Sequence, residues 1–339
     1  MKKLIINILK YLFFLAFGVF LLWLSFRTLD LKEVWNDIVS ADYFWIMLAL
    51  ISAVIAHFFR ALRWNVLINS MGYKTRISTT FYAVFIGYMA NTAVPRMGEF
   101  MRCGVLSRKE KIPFNALFGS VISERIFDML VLLLLLFSIL FFQWSFLGDF
   151  VGRMMAPFFS VLASNSLVLI TLAIIGVLIL VSLIYLRYRY HHKIKELPGY
   201  HKIEKMFLEF YEGIIAIKRM KHKWRFIFYT VVIWVFYALM VYFPFFMLPE
   251  TNDLSFMASI TFLAIGSLGI VAPVPGGIGA YHFIGKAVLV ELYSIDPSAA
   301  ISFVTITHAG QTLLHIFVGG LMYFIMFFVD HKKPVNEKD

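Results

Sequence analysis

PFNALFGSVISERIFDMLVLLLLLFSILFF, residues 113–142, decides the fold class. About 20 apolar residues span the hydrocarbon of a bilayer as a helix, and this run exceeds that. It also holds three charges near its middle: Glu124, Arg125 and Asp128. At ~1.5 Å per residue from Pro113, Arg125 lies roughly 18 Å along the helix, around mid-bilayer. A charge at that depth costs roughly 2.5–3.5 kcal/mol on insertion scales, so each needs a partner or a task. Glu124 and Asp128 are four residues apart and share a face, and Asp128 is three beyond Arg125. Arg125 cannot easily lose its proton. The spacing predicts that it pairs with Asp128, leaving Glu124 for Arg96 or Arg102.

The rest of the chain agrees with a membrane reading. Of 339 residues, 61% are hydrophobic and 15% charged, with a mean hydropathy of +0.81. Soluble domains carry roughly 25% charged residues. The net charge of +11 is read as basic loops against anionic lipid, not as a nucleic-acid surface. Cys103 is the sole cysteine, so no internal disulfide forms. Lys2, Lys3 and Lys10 precede an apolar run from Tyr11 to Phe26 that lacks a small-residue cleavage site, so it reads as an uncleaved first span.

Six segments are predicted to span, near 5–26, 43–68, 113–142, 158–187, 225–248 and 298–329. Two further apolar regions, near 77–110 and 255–294, are broken in the middle, by Val94-Pro95-Arg96-Met97-Gly98-Glu99 and by Pro273-Val274-Pro275-Gly276-Gly277-Ile278-Gly279. Broken backbone survives at membrane depth only where protein or a wet cavity surrounds it. Both regions therefore read as re-entrant hairpins, and the expected fold is an all-α polytopic transmembrane bundle. Most of the 31 Lys and Arg fall on one side of this layout, including the basic run from Arg187 to Arg225. Only Arg27, Lys32 and Arg153 lie on the other side. That asymmetry places both termini in the cytoplasm, with 27–42 and 249–254 outside. The loop at 188–224 reads as an amphipathic surface helix on the inner leaflet. The order span, span, hairpin, span occurs twice and inverts after three crossings. The expected organisation is thus an inverted-topology repeat of 1–157 and 158–329, followed by a cytoplasmic tail at 330–339.

Other polar residues at membrane depth are candidates for function. Arg96, Glu99 and Arg102 surround the first break, and Glu99 and Arg102 are spaced to pair. An arginine beside a helix start suits an anionic group such as a lipid phosphate. The second break, with Pro275, Gly276, Gly277 and Gly279, presents bare backbone that could meet an oxyanion; it lacks the pattern of a nucleotide loop. His282 and Lys286 follow it at a spacing of four. Thr305, His308, Gln311 and His315 form a stripe on the last span that should face the interior, for interhelical hydrogen bonding or for handling protons. Two histidines seven residues apart are a poor zinc pair, so neither metal nor cofactor is expected. Arg60 and Arg63, beside Trp64, read as interface anchors at the cytoplasmic end of the second span or as contacts to lipid phosphate.

Arg60-x-x-Arg63-Trp64, Pro95-Arg96-x-Gly98-Glu99-x-x-Arg102, Glu124-Arg125-x-x-Asp128 and Pro273-x-Pro275-Gly276-Gly277-x-Gly279 occur in this order. Together they resemble the membrane domain of the lysylphosphatidylglycerol synthase/flippase family, over nearly the whole chain. Members that make aminoacylated lipids add a soluble aminoacyltransferase domain at the C-terminus. This chain stops about ten residues after its last span, so the resemblance implies the lipid-translocating half without the synthase. Members often carry Glu where this chain has His282, which argues against transferring one substrate directly.

The leading expectation is a translocase for a membrane phospholipid or polyprenyl-linked lipid, in a bacterial plasma membrane, and a transporter rather than an enzyme. Arg60, Arg63, Arg96, Gly98, Glu99, Arg102, Arg125, Pro275, Gly276, Gly277 and Gly279 would bind the head group. Glu124, Asp128, His282, Lys286, His308, Gln311 and His315 would balance charge or pass protons. Two alternatives stay open. One is a membrane-embedded transferase on lipid-linked substrates, which the resemblance permits although the chain has no Asp-x-Asp pair. The other is a non-catalytic partner of a separate lipid-modifying enzyme. A homo-oligomer is compatible with all three.

Overall fold

The computed structural model describes residues 2–142, 222–271 and 274–330, together with isolated positions between 143 and 221. The chain forms two compact units, Met1–Ser138 with Arg219–Asp339, and Ile139–Lys218; the first is described below. The expected span at 158–187, most of the loop at 188–224 and the tail beyond 330 lie outside the described residues. In chain order the described helices are α1 (Lys2–Phe26), α2 (Leu31–Ser40), α3 (Tyr43–Ser70), α4 (Ile77–Ala93), α5 (Met97–Glu110) and α6 (Phe114–Phe142). They continue as α7 (Lys223–Tyr242), α8 (Phe256–Val271), α9 (Ala280–Tyr293) and α10 (Pro297–Phe324).

Tyr43–Ser70, Phe114–Phe142, Lys223–Met247 and Pro297–Val329 are long and apolar enough to cross a membrane. The helix pair Leu12–Phe26 and Leu31–Ser40, bent by 92°, makes a fifth such span if counted as one. Exposed positions along the second half of α6 are apolar, as at Leu133 and Leu134, which a membrane span requires.

Helix starts follow local chemistry. Asp30 accepts from the amide of Lys32, and Asp42 from that of Phe44. Asp296 accepts from Ser298 and Ala299, with Pro297 in the first turn of α10. Each fills donors that a helix start leaves unpaired. The segment after α1, read from sequence as a loop, contains the helix α2. Its Leu31, Trp35 and Val39 are exposed and Val34 is buried, a division the 3.6-residue period creates. Its acidic face is fastened to α10: the Ser298 hydroxyl donates to Glu33 at 2.8 Å, and that of Ser302 to Asp37 at 2.9 Å.

Both proline-glycine breaks separate short helices. α4 has 17 residues and α5 has 14, hence about 26 and 21 Å, less than the roughly 30 Å of hydrocarbon. Val94, before Pro95, is extended at φ −133°, because proline disfavours helix in its predecessor. Arg96 turns the chain at φ 62°. The pair closes on itself, since Arg76 at the start of α4 lies 3.4 Å from Glu110 at the end of α5. Near the break a Cβ on Gly98 would fall 2.2 Å from the Gly87 carbonyl oxygen, so only glycine permits this approach. α8 and α9 also run antiparallel, with Gly269 against Ala280 and Gly285 against Phe262. Between them Gly276, Gly277 and Gly279 all have positive φ.

Candidate functional site

α3 and α6 meet through charge. Arg60 and Arg63 are three residues apart on α3, and Glu124 and Asp128 four apart on α6, so each pair shares a face. Arg60 lies 3.0 Å from Glu124 and 2.7 Å from Asp128. Arg63 lies 3.1 Å from Glu124 and 2.7 Å from Asp128. Each guanidinium therefore bridges both carboxylates, which its planar fork of donors allows. Arg102, one turn and a half into α5, reaches the second oxygen of Glu124 at 3.0 Å. Its guanidinium also covers the Trp64 ring at 4.7 Å, and the Trp64 indole N–H donates to Ser120. Arg63 further donates to Thr230 of α7 at 3.2 Å. Arg60, Arg63, Arg102 and Glu124 are all buried.

This geometry corrects three expectations. Arg60 and Arg63 are not anchors at a membrane interface; they are buried and held by carboxylates from α6. Arg125 does not pair with Asp128. It reaches Glu99 of α5 at 2.8 Å, and Asp128 is taken by the two arginines of α3. Glu99 accordingly does not pair with Arg102, which meets Glu124 instead. The expected meeting of Glu124 with Arg102 is present. A rotation of about 100° per residue explains the division: Glu124 faces the bundle and Arg125 turns toward α5.

The Arg125–Glu99 pair borders an open groove of about 420 Å³ between α5 and α6, lined also by Arg96, Phe100, Phe118 and Ile122. Arg96 is exposed, and one oxygen of Glu99 has no hydrogen-bond partner. Behind the groove three guanidiniums face two carboxylates. In a low-dielectric interior that surplus positive charge attracts an anion. Gly98 plays a different part: its amide donates to the Asn91 side chain at 2.7 Å, and its missing Cβ lets α4 and α5 touch.

The second break carries imidazoles and one lysine. His308 Nε2 lies 2.9 Å from the Gly276 carbonyl oxygen, and the rings of His282 and His308 are 5.0 Å apart, edge to face. Lys286 donates to the Ser25 carbonyl at 2.8 Å. Pro275 and Gly277 are buried, and Gln311 is half-buried between His308 and His315. A Cβ on Gly276 would sit 3.5 Å from the Thr92 carbonyl oxygen of α4, so the two breaks approach each other. Among the described residues no group of three His, Cys, Asp or Glu could hold a metal ion.

Sequence reasoning missed His57, whose Nε2 lies 3.1 Å from that of His315. It also missed Tyr88 and Tyr237, whose hydroxyls are 3.3 Å apart. The signal for His57 was its spacing: 57, 60 and 63 mark one face of α3 at three-residue steps. The tyrosines had no comparable signal among so many aromatic residues.

Ion pairs buried between apolar helices, beside two short helix pairs broken by proline and glycine, define a polytopic helical integral membrane protein. The chain belongs to the family described as lysylphosphatidylglycerol synthase TM region, whose model matches residues 7–319. It is 24% identical to a UPF0104 membrane protein of Methanocaldococcus jannaschii, across 99% of this chain and 97% of that protein. It is 28% identical to the glycosyltransferase AglD of Haloferax volcanii, over 31% of this chain and 17% of that protein. No solved structure matches the chain.

Proposed function

We propose that the protein translocates a phospholipid or lipid-linked precursor whose anionic head group enters between the two breaks while its tails remain in the bilayer. The carrying observation is the groove at Arg96, Glu99 and Arg125, backed by a buried cluster in which arginines outnumber carboxylates. An anionic head group supplies the missing negative charge, and the apolar wall of the groove suits acyl chains. Arg96 and Arg125 act on the phosphate, with Arg102 bound to Glu124 behind them. Arg60 and Arg63 hold Glu124 and Asp128 in place behind them. Pro275, Gly276, Gly277 and Gly279 form the second break, where Gly276 approaches Thr92 of α4. In this reading α4–α5 and α8–α9 are re-entrant hairpins of an inverted repeat, and both termini are cytoplasmic. The antiparallel packing of each short pair supports the hairpins, and the charge asymmetry of the sequence supports the sidedness.

A second reading, transfer chemistry on a lipid-linked substrate, is favoured by the partial similarity to a protein named as a glycosyltransferase. Purified full-length protein in vesicles, given phospholipid or polyprenyl phosphate labelled at the head group, separates the two. Translocation of unmodified lipid, reduced in Arg125→Lys, is expected. Chemical conversion of the lipid without translocation would sink the translocase reading.

A further inference from the structure

The short helix α2 presents three separate rows of side chains. α1 has 25 residues, about 38 Å, enough to cross the roughly 30 Å of hydrocarbon without α2. α2 leaves it at a bend of 92°, and a helix at a right angle to a span lies in the membrane plane. Glu33 and Asp37 face α10, where they accept from Ser298 and Ser302, and Val34 is buried. Lys32, Asn36 and Ser40 form a second row, polar and exposed. Leu31, Trp35 and Val39 form the third, exposed by 64%, 63% and 64%. Steps of four residues keep each row on one side of the helix. Trp35 is two residues from both Glu33 and Asp37, so at about 100° per residue it points away from both.

The third row is left uncovered by α10 and by the other described elements. Its neighbours along the chain carry the residues of a membrane–water boundary. At the end of α1, Trp23 is exposed and the Arg27 guanidinium lies 5.4 Å from its ring. At the start of α3, Tyr43 and Phe44 are exposed, and the Tyr43 hydroxyl donates to the Ile38 carbonyl at 2.7 Å. Tryptophan and tyrosine collect at the level of lipid head groups, and arginine reaches toward the same level. Exposed apolar residues continue along both spans, with Phe20 on α1 and Met47 on α3. α2 is thus joined at both ends to lipid-facing surface. Its carboxylates are turned to α10 and accept hydroxyl protons there, so the Leu-Trp-Val row can enter lipid without taking a carboxylate with it.

We infer that α2 is an interfacial helix that seats Leu31, Trp35 and Val39 in the leaflet where α1 ends, between head groups and acyl chains, with Lys32, Asn36 and Ser40 toward water. The partner is the lipid surface itself. A neutral surface suffices, since Lys32 is the one basic residue of α2 and binding comes from apolar area, not from attraction to anionic lipid. Glu33 and Asp37 hold Ser298 and Ser302, in the first two turns of α10. The depth of α2 in the leaflet therefore fixes the depth at which α10 begins.

The test uses the full chain with Cys103→Ala in phosphatidylcholine vesicles, spin-labelled at one new cysteine at a time. Leu31→Cys, Trp35→Cys and Val39→Cys report the apolar row, and Lys32→Cys, Asn36→Cys and Ser40→Cys the polar one. All six positions are exposed, so folding should survive each change. Collision of the label with oxygen, which partitions into lipid, is compared with collision with a water-soluble nickel chelate present on both sides of the membrane. Labels at 31, 35 and 39 should read a depth of about 5–10 Å into the head-group boundary, and labels at 32, 36 and 40 should read as exposed to water. Water-level readings at all six positions overturn the inference. Shielding of 31, 35 and 39 from both reagents also overturns it, since a second copy or another protein would then cover the row. A depth that appears only when an anionic phospholipid is mixed in overturns the neutral surface.

Discussion

The two breaks do the same thing to the backbone and opposite things to charge. At the first, proline and an arginine at positive φ turn the chain, and the helices around it supply Arg96, Glu99, Arg102, Glu124 and Arg125. At the second, glycines at positive φ turn it, and the neighbours are His282, His308 and Lys286. The lesson is one of division. The first break is surrounded by groups that keep their charge in hydrocarbon only by pairing, so its structure and its chemistry cannot be separated. The second is held by backbone shape and the hydrogen bonds of His308 and Lys286 to backbone carbonyls, so its shape can be altered without breaking an ion pair.

The largest effect should come from Glu124→Ala. It would leave Arg60 and Arg63 with Asp128 alone and take from Arg102 its carboxylate, at a cost of about 3–5 kcal/mol for breaking a buried ion network. Loss of monodisperse protein, or a much lower unfolding temperature in detergent, is the expected reading. A fully stable variant would break the contrast between the two regions.

Arg125→Lys comes next and sharpens it. The residue is partly exposed at the groove, so folded yield should stay near normal. Lysine keeps the charge and loses the planar fork. Lipid translocation in vesicles should fall roughly ten- to hundredfold, the worth of a hydrogen bond to a charged group. Equal rates for the two proteins would remove Arg125 from head-group binding.

Glycine replacements compare the two turns directly. Gly98→Ala drives a methyl into the Gly87 carbonyl oxygen and should cost about 1–3 kcal/mol as the helices part. Gly276→Ala meets Thr92 only at ordinary contact distance and should cost about 1 kcal/mol, from its positive φ alone. Thermal unfolding of both would show whether the first turn is the tighter. The smallest change is expected for His308→Ala, about 0.5–1.5 kcal/mol for one lost hydrogen bond to Gly276, measured in the same way.

Much of this was legible in the sequence, for a physical reason. Spans announce themselves by length and apolarity, and Pro95 or the Gly276-Gly277 pair interrupts them where no helix can continue. Glu124, Arg125 and Asp128 stood out because charge is costly there. Their partners did not. Arg125 had Asp128 within reach on its own helix, so local spacing favoured a pair that tertiary packing replaced with Glu99. Arg60 and Arg63 looked like interfacial arginines because nothing in α3 says that α6 supplies two carboxylates opposite them. His57 needed the position of α10, which lies 258 residues away along the chain.

The backbone contact between α1 and the second turn has a mechanical consequence. A Cβ on Gly279 would lie 1.9 Å from the Gly18 carbonyl oxygen, and one on Gly18 would lie 2.9 Å from that of Ile278. Main chain rests on main chain there, with the stiff, branched side chain of Val274 beside it. A push on the N-terminal helix toward the turn, from a fused domain or a change in bilayer thickness, therefore meets main chain at once and is passed to the glycine turn.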